Sequence, residues 1–489
     1  MCREIHKNNT KIKQKLKLKI LLTGATGYIG KRLLPILLKE GHEVICCIRD
    51  KKRFNAENYS SPRLQVIEIN FLDSANDIQF PDGIDAAYYL IHSMSSGERS
   101  FEELEKRSAE AFRDAAGKAK IKQVIYLSGI INEETLSKHL ISRKNVENIL
   151  TEGNYSLTTL RAGIIVGSGS ASFEIIRDLV EKLPLMVTPR WLNTRTQPIA
   201  IRNVLEYLSG VLLRNETYGK SFDIGGPDIL TYKEMLLRFA KIRGLKRFII
   251  VVPVMTPRLS SYWLYFVTAV SYSLAVNLVN SMKVEIVCRK NSFIDMLGVK
   301  LITYDDSIRL AFDKIEQNQV ISSWNDALTT NILDSGITKH LEVPQNGCFK
   351  DTRKIKVTSS GRTLDKIWAI GGNTGWYYAN WLWILRGFAD KLFGGVGLRR
   401  GRRDPIDIQA GETLDFWRVL LADKNNSRLL LYAEMKLPGE AWLEFKLTDS
   451  QLEQTATFRP LGLLGRLYWY SVYPFHGLIF QGMVNKLAE

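Results

Sequence analysis

Residues 18–50 read LKILLTGATGYIGKRLLPILLKEGHEVICCIRD. A short β-rich run leads into a glycine turn, an amphipathic helix closed by Gly41, and a second β-rich run, which together make one β-α-β unit. The alternation continues outward. LQVIEINFLD from Leu64, DAAYYLIHSM from Asp85, a polar helix over Phe101 to Lys120, and VIYLSG from Val124 follow in turn. LTTLRAGIIVG from Leu157 reads as a further core strand and FDIGGP from Phe222 as a strand ending in a turn. Strands separated by helix-length segments predict an α/β fold with a doubly wound parallel sheet.

Within the first unit, Thr23 to Gly30 spells T-G-A-T-G-Y-I-G after a strand and at the start of a helix, where a dinucleotide-binding Rossmann turn has to lie. Gly24 permits the tight turn, Gly27 lets the backbone approach a pyrophosphate, and Gly30 lets helix and strand pack closely. The helix N-terminus adds N–H donors and partial positive charge. Thr23, Thr26, Tyr28 and Ile29 complete the candidate loop. At the end of the second strand a carboxylate would bind ribose hydroxyls and an arginine a 2′-phosphate. Here Arg49 is followed by Asp50, Lys51, Lys52 and Arg53. The cations favour NADP(H), and Asp50 would serve NAD(H) if the register ran one residue later. Asp73, closing LQVIEINFLD, is a further candidate cofactor contact.

The β/α rhythm fades after about Ala311, and the polar stretch 316–330 reads as a linker between a domain of residues 17–315 and another of residues 331–489. The last third has the aromatic run WAIGGNTGWYYANWLWILRG and the basic loop GGVGLRRGRR. ETLDFWRVLL, RLLLYAEM, AWLEFKL and LEQTATFR then read as successive antiparallel strands. The aromatic run Trp376 to Trp383 reads as core rather than a ligand cage. Arg399, Arg400, Arg402 and Arg403 read as a solvated loop, or else as an anion-binding or membrane-facing rim. The apolar segment Leu463 to Ala488 is helix-like, with Pro474 interrupting it.

Bulk composition narrows the classes. The chain has 489 residues, 45% hydrophobic and 24% charged, as in folded globular proteins, and is long enough for two domains. Its net charge is +16, but the first twenty residues hold Arg3, Lys7, Lys11, Lys13, Lys15, Lys17 and Lys19 against Glu4. Residues 1–16 therefore read as a flexible basic tail rather than a signal peptide. The expectation is contact with a membrane surface at most, and no specific nucleic acid. Five cysteines without a C-x-x-C pair suggest reduced thiols in a cytoplasm and no metal site. Leu259 to Met282 has no charged residue, yet its many Ser, Tyr and Asn groups argue for buried helices over a membrane span.

Residues 17 to about 315 resemble an atypical short-chain dehydrogenase/reductase of the NAD(P)H-binding, NmrA-like kind. The resemblance lies in YYLIHSM (Tyr88 to Met94), HLISR (His139 to Arg143), LRAGIIVGSGSASFE (Leu160 to Glu174), TQPIAIRNV (Thr196 to Val204), DIGGPD (Asp223 to Asp228) and TPRLSSYW (Thr256 to Trp263). GGVGLRRGRR, DFWRV, PGEAWLEF and YWYSVYPFH resemble an uncharacterised module of the START and polyketide-cyclase superfamily. That likeness implies an α+β helix-grip domain, a curved antiparallel sheet around a long C-terminal helix and an apolar cavity.

The family's reductases use a serine after the fifth strand and a Tyr-x-x-x-Lys helix. Ser128 fits the serine, but the four-residue spacing here reads His139 to Arg143, with neither Tyr nor Lys. An imidazole could replace the phenol as acid, whereas an arginine cannot exchange protons. The alternative is that His139 and Arg143 anchor the helix and the nicotinamide ribose. His92, after the fourth strand, is a second candidate donor. Arg195 and Arg202 could neutralise an acidic substrate group or simply pair at the surface. Two readings follow. One is an NADPH-dependent reductase of a hydrophobic carbonyl or quinone-like substrate. The other is a non-catalytic dinucleotide sensor or scaffold with a lipid-binding C-terminal domain. A nucleotide-sugar epimerase or dehydratase also needs the absent tyrosine.

Overall fold

The computed structural model describes residues 17–49, 51, 54, 59, 61–73, 78–91, 98–131, 138–252, 276, 279–289, 297–316, 343, 348–393, 395–398, 402, 404, 406–448 and 450–489. Seven parallel strands form the first sheet: β1 (Lys19–Thr23), β2 (Glu43–Ile48), β3 (Leu64–Glu68), β4 (Ala86–Tyr89), β5 (Gln123–Gly129), β6 (Ser156–Ala162) and β7 (Lys220–Ile224). Their order is β7-β6-β5-β4-β1-β2-β3, so the winding reverses between β1 and β4. Registers such as Thr23 opposite Cys47, Leu22 opposite Tyr88 and Ser128 opposite Arg161 bring all the carboxyl ends to one edge.

Strands β1, β2 and β4 are apolar on both faces because helices cover both. Ile20, Leu22, Val44, Cys46 and Tyr88 pack with α1 (Gly30–Lys39) and α5 (Ile201–Gly210). The intervening Leu21, Ile45, Cys47, Ala87 and Tyr89 pack instead with α2 (Glu98–Lys118) and α3 (Lys138–Thr151). The two-residue strand period thus sends adjacent Cys46 and Cys47 to opposite sides, both buried. A separate core gathers Phe173 of α4 (Ala171–Lys182), Phe239 of α6 (Tyr232–Ile242) and Phe312 of α7 (Tyr304–Glu316), with ring centroids 5.3–5.7 Å apart.

The second sheet is antiparallel throughout, in the order β8-β13-β12-β11-β10-β9. Its strands are β8 (Phe349–Lys356), β9 (Thr413–Leu414), β10 (Trp417–Asp423), β11 (Arg428–Ala433), β12 (Gly439–Leu447) and β13 (Gln451–Pro460). The four strands expected from Glu412 onward are present, and the edge strand β8 was not anticipated. Helices α8 (Ser360–Trp368), α9 (Asn380–Leu392) and α10 (Gly462–Ala488) accompany the sheet. Phe480, Met483, Val484 and Leu487 of α10 join Leu431, Leu443 and Phe445 in its core.

Two expectations need correction. Pro474 does not interrupt α10, which runs unbroken through it. Proline removes one N–H donor, and the residue four positions earlier, Tyr470, is exposed, so water can take the freed carbonyl. Arg402 is not solvated either. It is half-buried and donates to the carbonyls of Trp368, Ile370 and Asp404, and burial pushes its pKa down. Arg399, Arg400 and Arg403 lie outside the described residues, as do residues 1–16, the linker beyond Glu316 and most of Leu259 to Met282. Among the described residues no helix is long and apolar enough to cross a membrane.

Candidate functional site

The glycine turn sits where β1 delivers the chain to α1, beside the end of β4, at the point where the winding reverses. Ligands bind at such switch points in open α/β sheets. Gly24 has φ +68°, and a Cβ there would lie 2.6 Å from the Leu90 carbonyl oxygen. A Cβ on Gly30 would come to 2.3 Å from the Gly24 carbonyl oxygen. Both positions therefore exclude side chains for reasons internal to the fold. Gly27 is looser, with a contact of 3.2 Å, and its N–H closes the turn onto Gly24. Helix α1 starts without a side-chain cap at Ile29 and without an acidic residue in its first turn, so the positive end of its dipole is unneutralised. A turn with glycine at positions 24, 27 and 30, leading into an uncapped helix N-terminus, fits a pyrophosphate.

Around this turn the side chains have structural duties. The Thr23 hydroxyl donates to the Tyr88 carbonyl at 2.9 Å and accepts from the Leu90 N–H at 3.2 Å, locking β1 to β4. Arg32 is buried and its guanidinium lies 4.0 Å from the Tyr28 ring centroid. It donates to the carbonyls of Tyr28 and Ser168, pinning the turn to the loop before α4. Burial raises the Tyr28 phenol to about 12, so it stays protonated at neutral pH. Thr26 is half-buried, while Arg49, one residue past β2, and Asp73, beyond β3, are exposed. Asp50 and His92 lie outside the described residues.

Ser128 and Arg143 do come together at the end of β5. The Ser128 hydroxyl is buried, lies on the α3 side of the sheet, and makes no hydrogen bond. Arg143 donates to the Leu127 carbonyl at 3.1 Å, and its backbone carbonyl accepts from the Tyr126 hydroxyl at 3.4 Å. It ties α3 to β5. His139 stands in the first turn of α3, but its side chain lies outside the described residues. Beyond β6 and β7 the backbone is packed tightly. A Cβ on Gly226 would meet the Pro198 carbonyl oxygen at 2.3 Å, and Gln197 donates to the Gly226 carbonyl at 2.7 Å. Buried Asp223 accepts from the Arg289 backbone and guanidinium. Arg195 pairs with Glu285 at 2.9 Å on the surface, and Arg202 is exposed.

Residues 24–169 match the family model described as NAD(P)H-binding. The N-terminal unit is an NAD(P)H-binding, Rossmann-like domain. Residues 345–483 match the model described as a protein of unknown function, DUF2867. No curated protein matches the chain. Solved structures similar to it include a nucleoside-diphosphate-sugar epimerase from Staphylococcus aureus, at 13% identity and TM-score 0.49, covering 60% of this chain and all of that one. The Bordetella bronchiseptica enzyme WbmG in complex with NAD gives 14% and 0.48, covering 64% and 98%. UDP-glucuronic acid 4-epimerase from Bacillus cereus gives 16% and 0.45, covering 61% and 99%.

The resemblance implied an apolar cavity in the C-terminal unit, but the sequence did not name the residues that line it. Between α9, α10 and the antiparallel sheet lies a cavity of about 320 Å³, walled by residues such as Leu382, Trp383, Trp417, Phe458, Trp469 and Phe480. Trp383 and Trp417 also belong to the core, so the aromatic run serves both packing and the cavity wall. Arg386, Thr457 and His476 line it too. Burial lowers His476 to about 4, leaving the ring neutral. These lining residues are scattered along the chain from Leu382 to Phe480, and only the fold assembles them.

Proposed function

We propose that this protein is an NADP(H)-dependent oxidoreductase of the short-chain dehydrogenase/reductase type, acting on a hydrophobic carbonyl or quinone-like substrate. The observation that carries the reading is the glycine cradle at Gly24 and Gly30 before an uncapped helix, at the switch point of a parallel sheet. The nicotinamide would supply the hydride, and the protein binds, orients and provides the proton. The buried, unpartnered Ser128 hydroxyl is the group available to hold a substrate oxygen, and His139 and His92 are the candidate proton donors. NADP(H) is preferred because Arg49 is exposed at the carboxyl end of β2, with NAD(H) as the alternative. The second unit, a sheet holding one long helix, is assigned as a helix-grip domain that takes an apolar ligand in its cavity. Its location is the cytoplasm. Peripheral membrane contact would use the exposed apolar residues Trp381 and Phe388 of α9 and Leu464 and Leu467 of α10.

A specific observation favours a second reading, a dinucleotide sensor or scaffold without turnover. Arg143 occupies the place of the family's lysine and is bonded into the sheet. The test is twofold. Native mass spectrometry of molecules that co-purify names the nucleotide and any cavity ligand. NADPH oxidation is then followed in His139→Ala, His92→Ala and Ser128→Ala at saturating NADPH. Loss of the acid lowers turnover about 10² to 10⁴ fold with binding barely changed. Wild-type turnover in all three variants removes the catalytic assignment, and weakened nucleotide affinity with turnover falling only as occupancy falls favours the anchoring role.

A further inference from the structure

We infer that the cavity of the C-terminal unit binds a carboxylate amphiphile, its chain among the aromatic walls and its carboxylate held by Arg386. The inference rests on the apolar-ligand reading above and names the ligand class. Its support is a coincidence of unmet polar groups. Trp383 Nε1, Trp417 Nε1, Arg386 Nη2, Thr457 Oγ1 and His476 Nδ1 are buried and without hydrogen-bond partners, and all five residues line this one cavity. Trp383, Trp417 and Thr457 are each more than nine-tenths buried.

Buried polar groups left unpaired are costly and rare in folded proteins, so four donors around one space, together with the Nδ1 of a neutral His476 that can donate or accept, call for an occupant. Water alone answers poorly, because a buried water needs two to four polar partners and the remaining wall is aliphatic and aromatic. The two indoles and the guanidinium are donors only, and the hydroxyl can donate as well. The complementary group is therefore an acceptor, and a cation among the donors selects an anionic one. Arg386 itself lies 5.7 Å from the Tyr468 ring centroid, at the approach of α9 to α10. The volume falls in the range of small-molecule sites. Leu385 and Phe475 line the cavity and are each 55% exposed, so its mouth opens between the two helices through an apolar rim that a hydrocarbon chain can cross.

The experiment is calorimetric titration of the full-length protein with dodecanoate and with dodecanol, which share a chain and differ in the head. Dodecanoate is expected to bind at least about tenfold more tightly. Arg386→Gln should weaken dodecanoate by about 10- to 100-fold and leave dodecanol unchanged, while Arg386→Lys should retain most of the affinity. Equal binding of the two probes by the wild-type protein overturns the head-group assignment and leaves the apolar cavity standing. If neither probe binds, the apolar-ligand reading falls with it. Should Arg386→Gln fail to fold, the wild-type comparison still decides, and Thr457→Val gives a second variant expected to weaken dodecanoate selectively.

Discussion

A single methyl group distinguishes a working nucleotide turn from a blocked one at Gly24 and Gly30, where backbone oxygens stand 2.6 and 2.3 Å from where a Cβ would go. That is why the turn itself was legible in the sequence. Spacing alone reports a steric demand that no other residue meets. Arg49 is different, because its side chain is exposed and the fold does not dictate it. Its meaning is electrostatic, and it is tested by exchange of charge. NADPH is expected to bind more tightly than NADH, and Arg49→Asp should reverse the order, since a charge-assisted contact to phosphate is worth about 1.5 to 3 kcal/mol. Equal affinities for the two nucleotides in a fluorescence titration of the wild-type protein would sink the NADP(H) assignment. Thr23 has a structural duty that the motif did not announce. It stands in the motif, yet its hydroxyl is consumed between β1 and β4.

Among the elements, the parallel strands announced themselves because the inner ones are buried on both faces and they alternate with helix-length segments. The edge strand β8 did not, since FKDTRKIK is mostly charged and gains its place by pairing with Gln451 to Phe458 of β13 and by packing on α10, where Phe349 stacks on Trp469. Nor was the turn from β9 to β10 marked. There Asp415, at φ +54°, is buried and accepts from Trp376 Nε1 at 2.7 Å, fastening the loop before α9 to the sheet. Burial raises its pKa to about 6. The unfolded chain releases this proton near the ordinary value of 3.8 and the folded chain only near 6, so the group lowers stability as pH climbs between them. A shift of that size corresponds to roughly 3 kcal/mol. Asp415→Asn keeps an acceptor for Trp376 and suits the left-handed backbone. The stability of the wild-type protein relative to this variant should fall by about 2 to 3 kcal/mol from pH 4 to pH 7 in denaturant melts. A difference that stays flat or rises with pH would show that Asp415 does not titrate as described.

At the scale of the whole molecule, two sheets of opposite character lie in one chain, the first wholly parallel and the second wholly antiparallel, each with its own buried cluster. In the sequence the β/α rhythm fades after about Ala311, and the first strand of the second sheet, β8, sets which fragment of the C-terminal unit can fold alone. A start near Lys354 would cut β8 and remove five of its eight pairs with β13. Residues 343–489 should therefore fold alone, with one cooperative thermal transition, whereas residues 354–489 should melt lower and less cooperatively. The longer fragment has about 150 residues, a size at which a single core is normally sufficient. A ligand that binds only the folded form adds about 2.7 kcal/mol at a hundredfold excess over its dissociation constant, which for a domain this size raises the midpoint by several degrees. Dodecanoate should do so with the longer fragment. If that fragment shows no cooperative transition by calorimetry, the C-terminal sheet depends on the rest of the chain and is not an independent domain. If it folds and no panel of fatty acids, sterols or quinones raises its midpoint, the cavity is a packing feature, because any occupant with differential affinity for the folded state has to register in this measurement.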